Sequence, residues 1–194
     1  MDLAKYGTAE EMSRVEYVTV TREPTAQLAS DFYWRQSRFE NCDGALPSMP
    51  RGQLCNHTLA SFVRAHGTDP LMKRYAPVGA ARFLCGDERD RPTGVTLAEC
   101  ALRNVRHRYA VVGTLESPQA TWAALASVLP GFFGPPFHAN IGLHTNANAA
   151  HAVHPDDAEA AAALQTSAAF RAEQLVYSTA SQRLRTFFPN PTQS

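Results

Sequence analysis

The segment that most constrains the fold lies near the start of the chain, at residues 15–38. Residues 15–21 read Val-Glu-Tyr-Val-Thr-Val-Thr, and this run of β-branched and aromatic side chains predicts a β-strand. Arg22-Glu23-Pro24 follow directly, and proline suits the first position of a helix because no N–H partner is needed there. A strand that ends on an arginine and turns into a helix is suited to bind an oxyanion. The alternative is that Arg22 pairs with Glu23 or another acid.

The rest of the chain predicts helices and one further strand. The helices are expected at 24–38, 59–66, 96–105 and 118–129 and from 155 to about 187, and the strand at 109–113. Apart from the helix at 59–66, residues 41–94 carry no strong periodicity and are expected to be irregular. Strands that alternate with helices indicate an α/β architecture with a parallel sheet. Two strands are too few for an open doubly wound sheet, so the sheet is expected to be incomplete.

The predicted helices each carry an apolar stripe that should face a core. The stripe residues are Leu28, Phe32 and Tyr33, then Trp122 and Leu125, then Leu164, Phe170, Leu175, Tyr177, Leu184 and Phe187. Ser117 is the expected N-cap of the helix at 118–129. Ser167 is the expected break that divides the last region into two helices.

The charge composition excludes one large class of partners. The net charge is zero, which argues against a broad nucleic-acid-binding surface. Of the 18 basic residues, Lys5 and Lys73 are lysines and the rest are arginines. This bias reflects either a GC-rich genome or recognition of sulfate, phosphate or carboxylate, which the guanidinium group binds through two oxygens.

The cysteines and one asparagine bear on the compartment. Cys42, Cys55, Cys85 and Cys100 include no C-x-x-C pair, which argues against zinc-ribbon and thioredoxin-like sites. Pairing of sequence neighbours would close two short loops. An even number of cysteines beside Asn56-His57-Thr58, an N-glycosylation sequon, favours an oxidising compartment, although one sequon arises often by chance. There is no run of 18 apolar residues and no apolar leader, so any targeting segment or membrane anchor is expected outside this sequence.

The first segment also carries a family likeness. Thr21-Arg22-Glu23-Pro24 is followed by Leu28, Ser30, Phe32 and Tyr33. This pattern resembles the 3′-phosphate-binding element of the Golgi carbohydrate sulfotransferases, most closely the heparan sulfate and uronyl 2-O-sulfotransferases. In that family an arginine closes the strand and a later serine shares the 3′-phosphate, and Arg22 and Ser30 have the same spacing. Glu23 departs mildly from the aspartate that the family has there.

The resemblance extends over nearly the whole chain. Similar segments are residues 2–7, 83–86, 109–116 and 129–133 and the closing helix with Leu164, Phe170, Glu173 and Tyr177. The family would pair Cys85 with Cys100. The resemblance implies a single domain over residues 1–194 that is incomplete at its N-terminus. The implied fold is part of a three-layer, P-loop-NTPase-like parallel sheet with a disulfide-stapled irregular segment.

The resemblance also implies a reaction, the transfer of a sulfuryl group from 3′-phosphoadenosine 5′-phosphosulfate (PAPS) to a sugar hydroxyl of a glycan in the Golgi lumen. Arg22 and Ser30 would bind the donor. Arg35 and Arg38 would contact the acceptor glycan, or they are solvated residues at a helix end. The family's 5′-phosphosulfate loop and its histidine base would lie upstream of Met1, so no catalytic residue is assigned here. A type II membrane anchor is likewise expected outside the chain.

The chain departs from the sulfotransferase pattern in ways that leave other functions open. Residues 137–150, which match the family's basic closing loop, contain no lysine or arginine. The nearby histidines have no tight metal-ligand spacing, so no metal is expected; they are His138, His144, His151 and His154. One alternative is a non-catalytic nucleotide- or glycan-binding remnant of a sulfotransferase. Another is an unrelated secreted α/β protein with two disulfides. In the incomplete sheet, the strand at 15–21 should expose an apolar edge that promotes association.

Overall fold

A computed structural model describes residues 17–38, 57–75, 79–86, 94–133 and 157–187. Within these segments the architecture is α/β, with mostly helices around a two-stranded parallel sheet, as predicted. The strands are β1 (Tyr17–Thr21) and β2 (Tyr109–Thr114). The helices in chain order are α1 (Pro24–Arg38), α2 (Leu59–His66), α3 (Asp69–Tyr75), α4 (Ala80–Cys85), α5 (Leu97–His107), α6 (Pro118–Val128), α7 (Pro130–Phe133), α8 (Asp157–Leu164) and α9 (Ala168–Phe187).

The two strands pair in parallel, so both end at the same edge of the sheet. Thr19 pairs with Val112, and Thr21 pairs with Thr114. The pairing continues just past the strands, where the Leu115 N–H donates to the Thr21 carbonyl at 2.9 Å. The loops that follow β1 and β2 therefore lie side by side.

Local sequence sets most helix boundaries. Pro24 occupies the first position of α1 as predicted. The Thr58 side chain caps α2 by accepting from the Ser61 N–H at 3.1 Å. Thr96 and Glu99 form a capping box at the start of α5. Ser117 is the N-cap of α6 but makes no side-chain capping hydrogen bond.

The prediction that residues 41–94 are irregular apart from one helix is wrong in two places. Residues 69–75 form α3, and residues 80–85 form α4. Each is too short to show a clear period in the sequence, and short helices depend on tertiary contacts. For α4 those contacts are the buried Glu173 carboxylate, which accepts from the Ala81 N–H, and a disulfide to α5.

The predicted disulfide between Cys85 and Cys100 is confirmed. It joins the end of α4 to α5 with a Cα–Cα distance of 5.6 Å. The other proposed pair, Cys42 and Cys55, lies outside the described residues, as does the sequon at Asn56.

Among the described residues the core forms three clusters, and α9 contributes to each of them. Phe170 packs with α1, α2, α3 and α8. Val176 and Ala180 pack with α4, α5 and β2. Leu184 packs with β2 and α6. The helix is therefore the element that the three clusters share.

The predicted break before α9 is confirmed, but two of its predicted core residues are wrong. Helix α8 ends at Leu164 and α9 begins at Ala168. Leu175 is 50% exposed and Phe187 is 65% exposed. The buried face of α9 instead includes Glu173, whose charge conceals the helical period from a hydrophobicity pattern. Leu175 lies away from that face, and Phe187 is the last residue of the helix.

Hydrogen bonds from Arg183 link α9 to the end of α5 and the start of β2. Its guanidinium group donates to the carbonyls of Val105, Tyr109 and Ala110, the second of these at 2.6 Å. Burial lowers the pKa of this arginine from its usual value. In the described segments, no helix combines the length and the apolar character needed to cross a membrane.

Candidate functional site

A cleft of about 380 Å³ lies where β1 ends, between the turn into α1 and helix α4. Ligands of open α/β proteins bind at the carboxyl ends of parallel strands, which is where this cleft lies. Its polar lining includes Thr21, Arg22 and Gln27, and its apolar lining includes Phe83, Leu84 and Leu115. The cleft thus combines one guanidinium group with several apolar walls.

Arg22 lines the cleft and is half-buried. Among the residues that the structure describes, none forms a hydrogen bond or ion pair with its side chain. The alternative that Arg22 pairs with Glu23 is therefore not what the structure shows. A guanidinium group in this state retains all its donors for a ligand, and an oxyanion is the ligand that its geometry suits best.

The Glu23 carboxylate forms hydrogen bonds with other residues, which explains why it does not pair with Arg22. Its Oε2 atom accepts from the Ala26 N–H at 2.7 Å and so caps the start of α1. Its Oε1 atom accepts from Gln174 Nε2 at 2.7 Å. The Glu23 side chain thus links α1 to α9.

Glu116 links the turn after β2 to the turn after β1. Its Oε1 atom accepts from the Glu23 N–H at 2.9 Å, and its Oε2 atom accepts from the Tyr177 hydroxyl at 3.1 Å. Burial, together with the negative charge of Glu116, raises the pKa of Tyr177 to about 12. Tyr177 therefore remains a hydrogen-bond donor at neutral pH. These contacts fix the backbone next to Arg22.

Two threonines at the strand ends carry buried hydroxyl groups. Thr21 and Thr114 are register partners, and the Oγ1 atom of each has no hydrogen-bond partner among the described residues. Thr21 lines the cleft beside Arg22. Thr114 lines a second cavity, of about 310 Å³, between the sheet and α6. The walls of the second cavity are mainly apolar and include Trp122, Leu125 and Phe133.

Of the predicted binding residues, Arg22 lines the cleft, and the others either lie elsewhere or fall outside what the structure describes. Ser30 is partly exposed on α1 and is not among the described residues that line the cleft. Arg35 and Arg38 lie within α1, but their side chains are outside what the structure describes. His138, His144, His151 and His154 also lie outside the described residues. In the described part of the chain, no group of three histidine, cysteine or acidic residues is arranged to hold a metal ion.

Sequence reasoning missed several residues of the cleft. Phe83 and Leu84 belong to α4, which the sequence pattern did not predict, so their position beside β1 was not visible. Thr21 adjoins Arg22 in the sequence, and its location at a predicted strand end was the available signal. Gln27 lies in the first turn of α1, and its side of that turn borders the cleft.

No family model and no curated protein matches the chain.

Proposed function

We propose that this chain binds the 3′-phosphate of PAPS through Arg22, as part of an O-sulfotransferase that transfers a sulfuryl group to a sugar hydroxyl of a glycan. The observation that carries the proposal is the guanidinium group of Arg22, which no described residue pairs with, in a cleft at the carboxyl end of β1. The sequence motif that Arg22 shares with the Golgi carbohydrate sulfotransferases supplies the identity of the donor.

The cleft fits part of a nucleotide. Its volume of about 380 Å³ is within the usual range for small-molecule sites. Phe83, Leu84 and Leu115 provide apolar surface for a nucleoside, while Arg22 provides a fork of donors for a phosphate. Bound in this way, PAPS would be held by its 3′-phosphate, and its 5′-phosphosulfate would be oriented for transfer. We assign this chain a binding role and no catalytic base.

Two features support a three-layer sulfotransferase fold and a location in the Golgi lumen, which are both part of the proposal. Val111 packs against α6, whereas Val112 packs against α4 and α5, so helices cover both faces of the sheet. This arrangement is compatible with a three-layer sulfotransferase fold. The disulfide between Cys85 and Cys100 is compatible with the oxidising Golgi lumen. The acceptor in this proposal is a glycan, with Arg35 and Arg38 as its proposed contacts.

Calorimetry with adenosine 3′,5′-bisphosphate, the product form of the donor, tests the proposal. We expect the wild-type chain to bind this ligand more tightly than adenosine 5′-monophosphate, which lacks the 3′-phosphate. Arg22→Ala should weaken binding by about tenfold or more, since a hydrogen bond to a charged group contributes about 1.5–3 kcal/mol. Arg103→Ala, an exposed arginine on α5, is the matched control and should bind as the wild type does.

Three results would contradict the proposed binding role. They are no binding by the wild-type chain, equal affinity for the two nucleotides, and unchanged affinity in Arg22→Ala. Transfer of labelled sulfuryl from PAPS to a desulfated glycosaminoglycan is a separate assay. It tests catalysis independently of binding.

A further inference from the structure

The two threonines at the strand ends present the same anomaly. Thr21 is 8% exposed and Thr114 is 1% exposed, and neither Oγ1 atom has a hydrogen-bond partner in the part of the chain that the structure describes. A buried hydroxyl without a partner destabilises the folded state, because it has given up its hydrogen bonds to water. The nearby side chains of Glu23, Glu116 and Tyr177 have hydrogen-bond partners, whereas no described residue pairs with the Arg22 guanidinium group. An unsatisfied group in such surroundings calls for an explanation.

The surroundings of the two hydroxyls differ. Side chains along a strand alternate between faces, so Thr21 lies on the same face of the sheet as Thr19, whose register partner Val112 packs against α4 and α5. This is the face on which α4 borders the Arg22 cleft, and Thr21 lines that cleft. Thr114 instead lines the second cavity and is not among the described residues that line the cleft. Thr21 is therefore the one of the pair that a ligand in the cleft can reach.

We infer that Thr21 is a binding residue of the cleft and that its hydroxyl donates to the same phosphate group that Arg22 binds. This inference rests on the proposed function, because it assigns a second residue to the same phosphate. Rotation about χ1 between staggered rotamers can move the threonine hydroxyl into the position that the methyl group occupies, so a bound oxyanion can recruit the Oγ1 atom. In this chain Thr21 takes the role that the family resemblance gives to Ser30.

Matched variants at the three hydroxyl positions test this assignment. Thr21→Val removes the hydroxyl and keeps the shape of the side chain. Thr114→Val makes the same change at the register partner, and Ser30→Ala removes the hydroxyl that the resemblance implicates. Affinity for adenosine 3′,5′-bisphosphate is measured by calorimetry, and stability without ligand is measured by denaturant unfolding.

We expect Thr21→Val to weaken binding about tenfold, the effect of one hydrogen bond to a charged group. Thr114→Val and Ser30→Ala should bind within about twofold of the wild type. Thr21→Ser, which restores a hydroxyl, should recover most of the lost affinity. Both valine variants should be at least as stable as the wild type, because each removes an unsatisfied buried hydroxyl. If Thr21→Val does not fold, Thr21→Ala replaces it and is compared with Thr21→Ser.

The outcomes separate this inference from the proposed function. If the wild type and Thr21→Val bind equally well while Arg22→Ala does not bind, the inference is overturned and the proposed function stands. The inference is also overturned if Ser30→Ala loses affinity and Thr21→Val keeps it. If the wild-type chain does not bind adenosine 3′,5′-bisphosphate, both fail together.

Discussion

At the scale of single residues, Glu173 shows how a buried charge can hold a short helix in place. The Oε1 and Oε2 atoms of its carboxylate lie 3.2 and 3.1 Å from the Ala81 nitrogen at the start of α4. Burial raises the pKa of Glu173, while hydrogen bonds from the Ala81 and Ala80 backbone act in the opposite direction. Gly79 leaves room for this carboxylate, because a Cβ atom there would overlap the Glu173 Oε1 atom.

The raised pKa of Glu173 predicts a specific pH dependence of stability. A carboxyl group with a raised native pKa binds protons more readily in the folded state than in the unfolded state. Its contribution is greatest below the unfolded value of about 4.5 and is lost as the pH rises through the native pKa. In denaturant unfolding at pH 7.5 and pH 5, the wild type should therefore gain stability relative to Glu173→Gln as the pH falls.

The control for this experiment is Glu159→Gln, which removes an exposed carboxylate on α8 together with its ion pair to the exposed Arg64. Its difference from the wild type should change less between the two pH values. A difference between wild type and Glu173→Gln that stays constant, or that changes in the opposite direction, would contradict the role of burial at this site.

At the scale of elements, α4 and α5 are joined by a covalent bond and by a side-chain contact. The Cys85–Cys100 disulfide closes a loop with a sequence separation of 15, and Asn104 Nδ2 donates to the Leu84 carbonyl at 2.8 Å. Because Phe83 and Leu84 lie on α4, this link also holds one wall of the cleft.

Loss of this disulfide should lower the free energy of unfolding by about 3 kcal/mol, the value expected for a loop of about 15 residues. The measurement compares denaturant unfolding with and without reductant, for the wild type and for Cys85→Ala/Cys100→Ala. Reductant should lower the free energy of unfolding more in the wild type than in the double variant. The difference between the two decreases is the contribution of the Cys85–Cys100 bond. Equal effects in both proteins would show that the bond contributes little.

Elements with strong local signals could be predicted, and those held by distant contacts could not. Pro24 and the apolar stripe predicted α1 with the observed boundaries, and the helix at 59–66 was predicted equally well. Helix α4 depends on Glu173, which is far away in the sequence, so no local pattern indicates it. The residues of the site differ in the same way. Arg22 belongs to a local sequence motif and could be predicted, whereas Phe83 lines the cleft only because tertiary contacts place α4 beside β1.

At the scale of the whole molecule, the outer edge of β1 is the surface most suited to association. Within the described residues β1 pairs with β2 alone, and Val20 is exposed beside Leu115. Open apolar edges promote pairing between chains, and a lysine on the edge opposes it. We expect the chain to associate with rising concentration in light scattering after gel filtration, and Val20→Lys to reduce this association.

Phe187→Lys is the control, because Phe187 is also an exposed apolar residue but lies at the end of α9, away from the strand. It should associate as the wild type does. A wild-type chain that remains monomeric at all concentrations would rule out β1 as an association surface, and an equal effect of both lysine variants would point to general hydrophobicity.

The sharing of α9 among the three core clusters determines how the molecule can lose its structure. None of the clusters can open fully without exposing part of this helix, since Phe170, Val176 and Leu184 lie in different clusters on the same 20-residue element. Detachment of α9 would uncover apolar surface in all three clusters at once. The described core is thus arranged so that the three clusters lose packing together when α9 detaches.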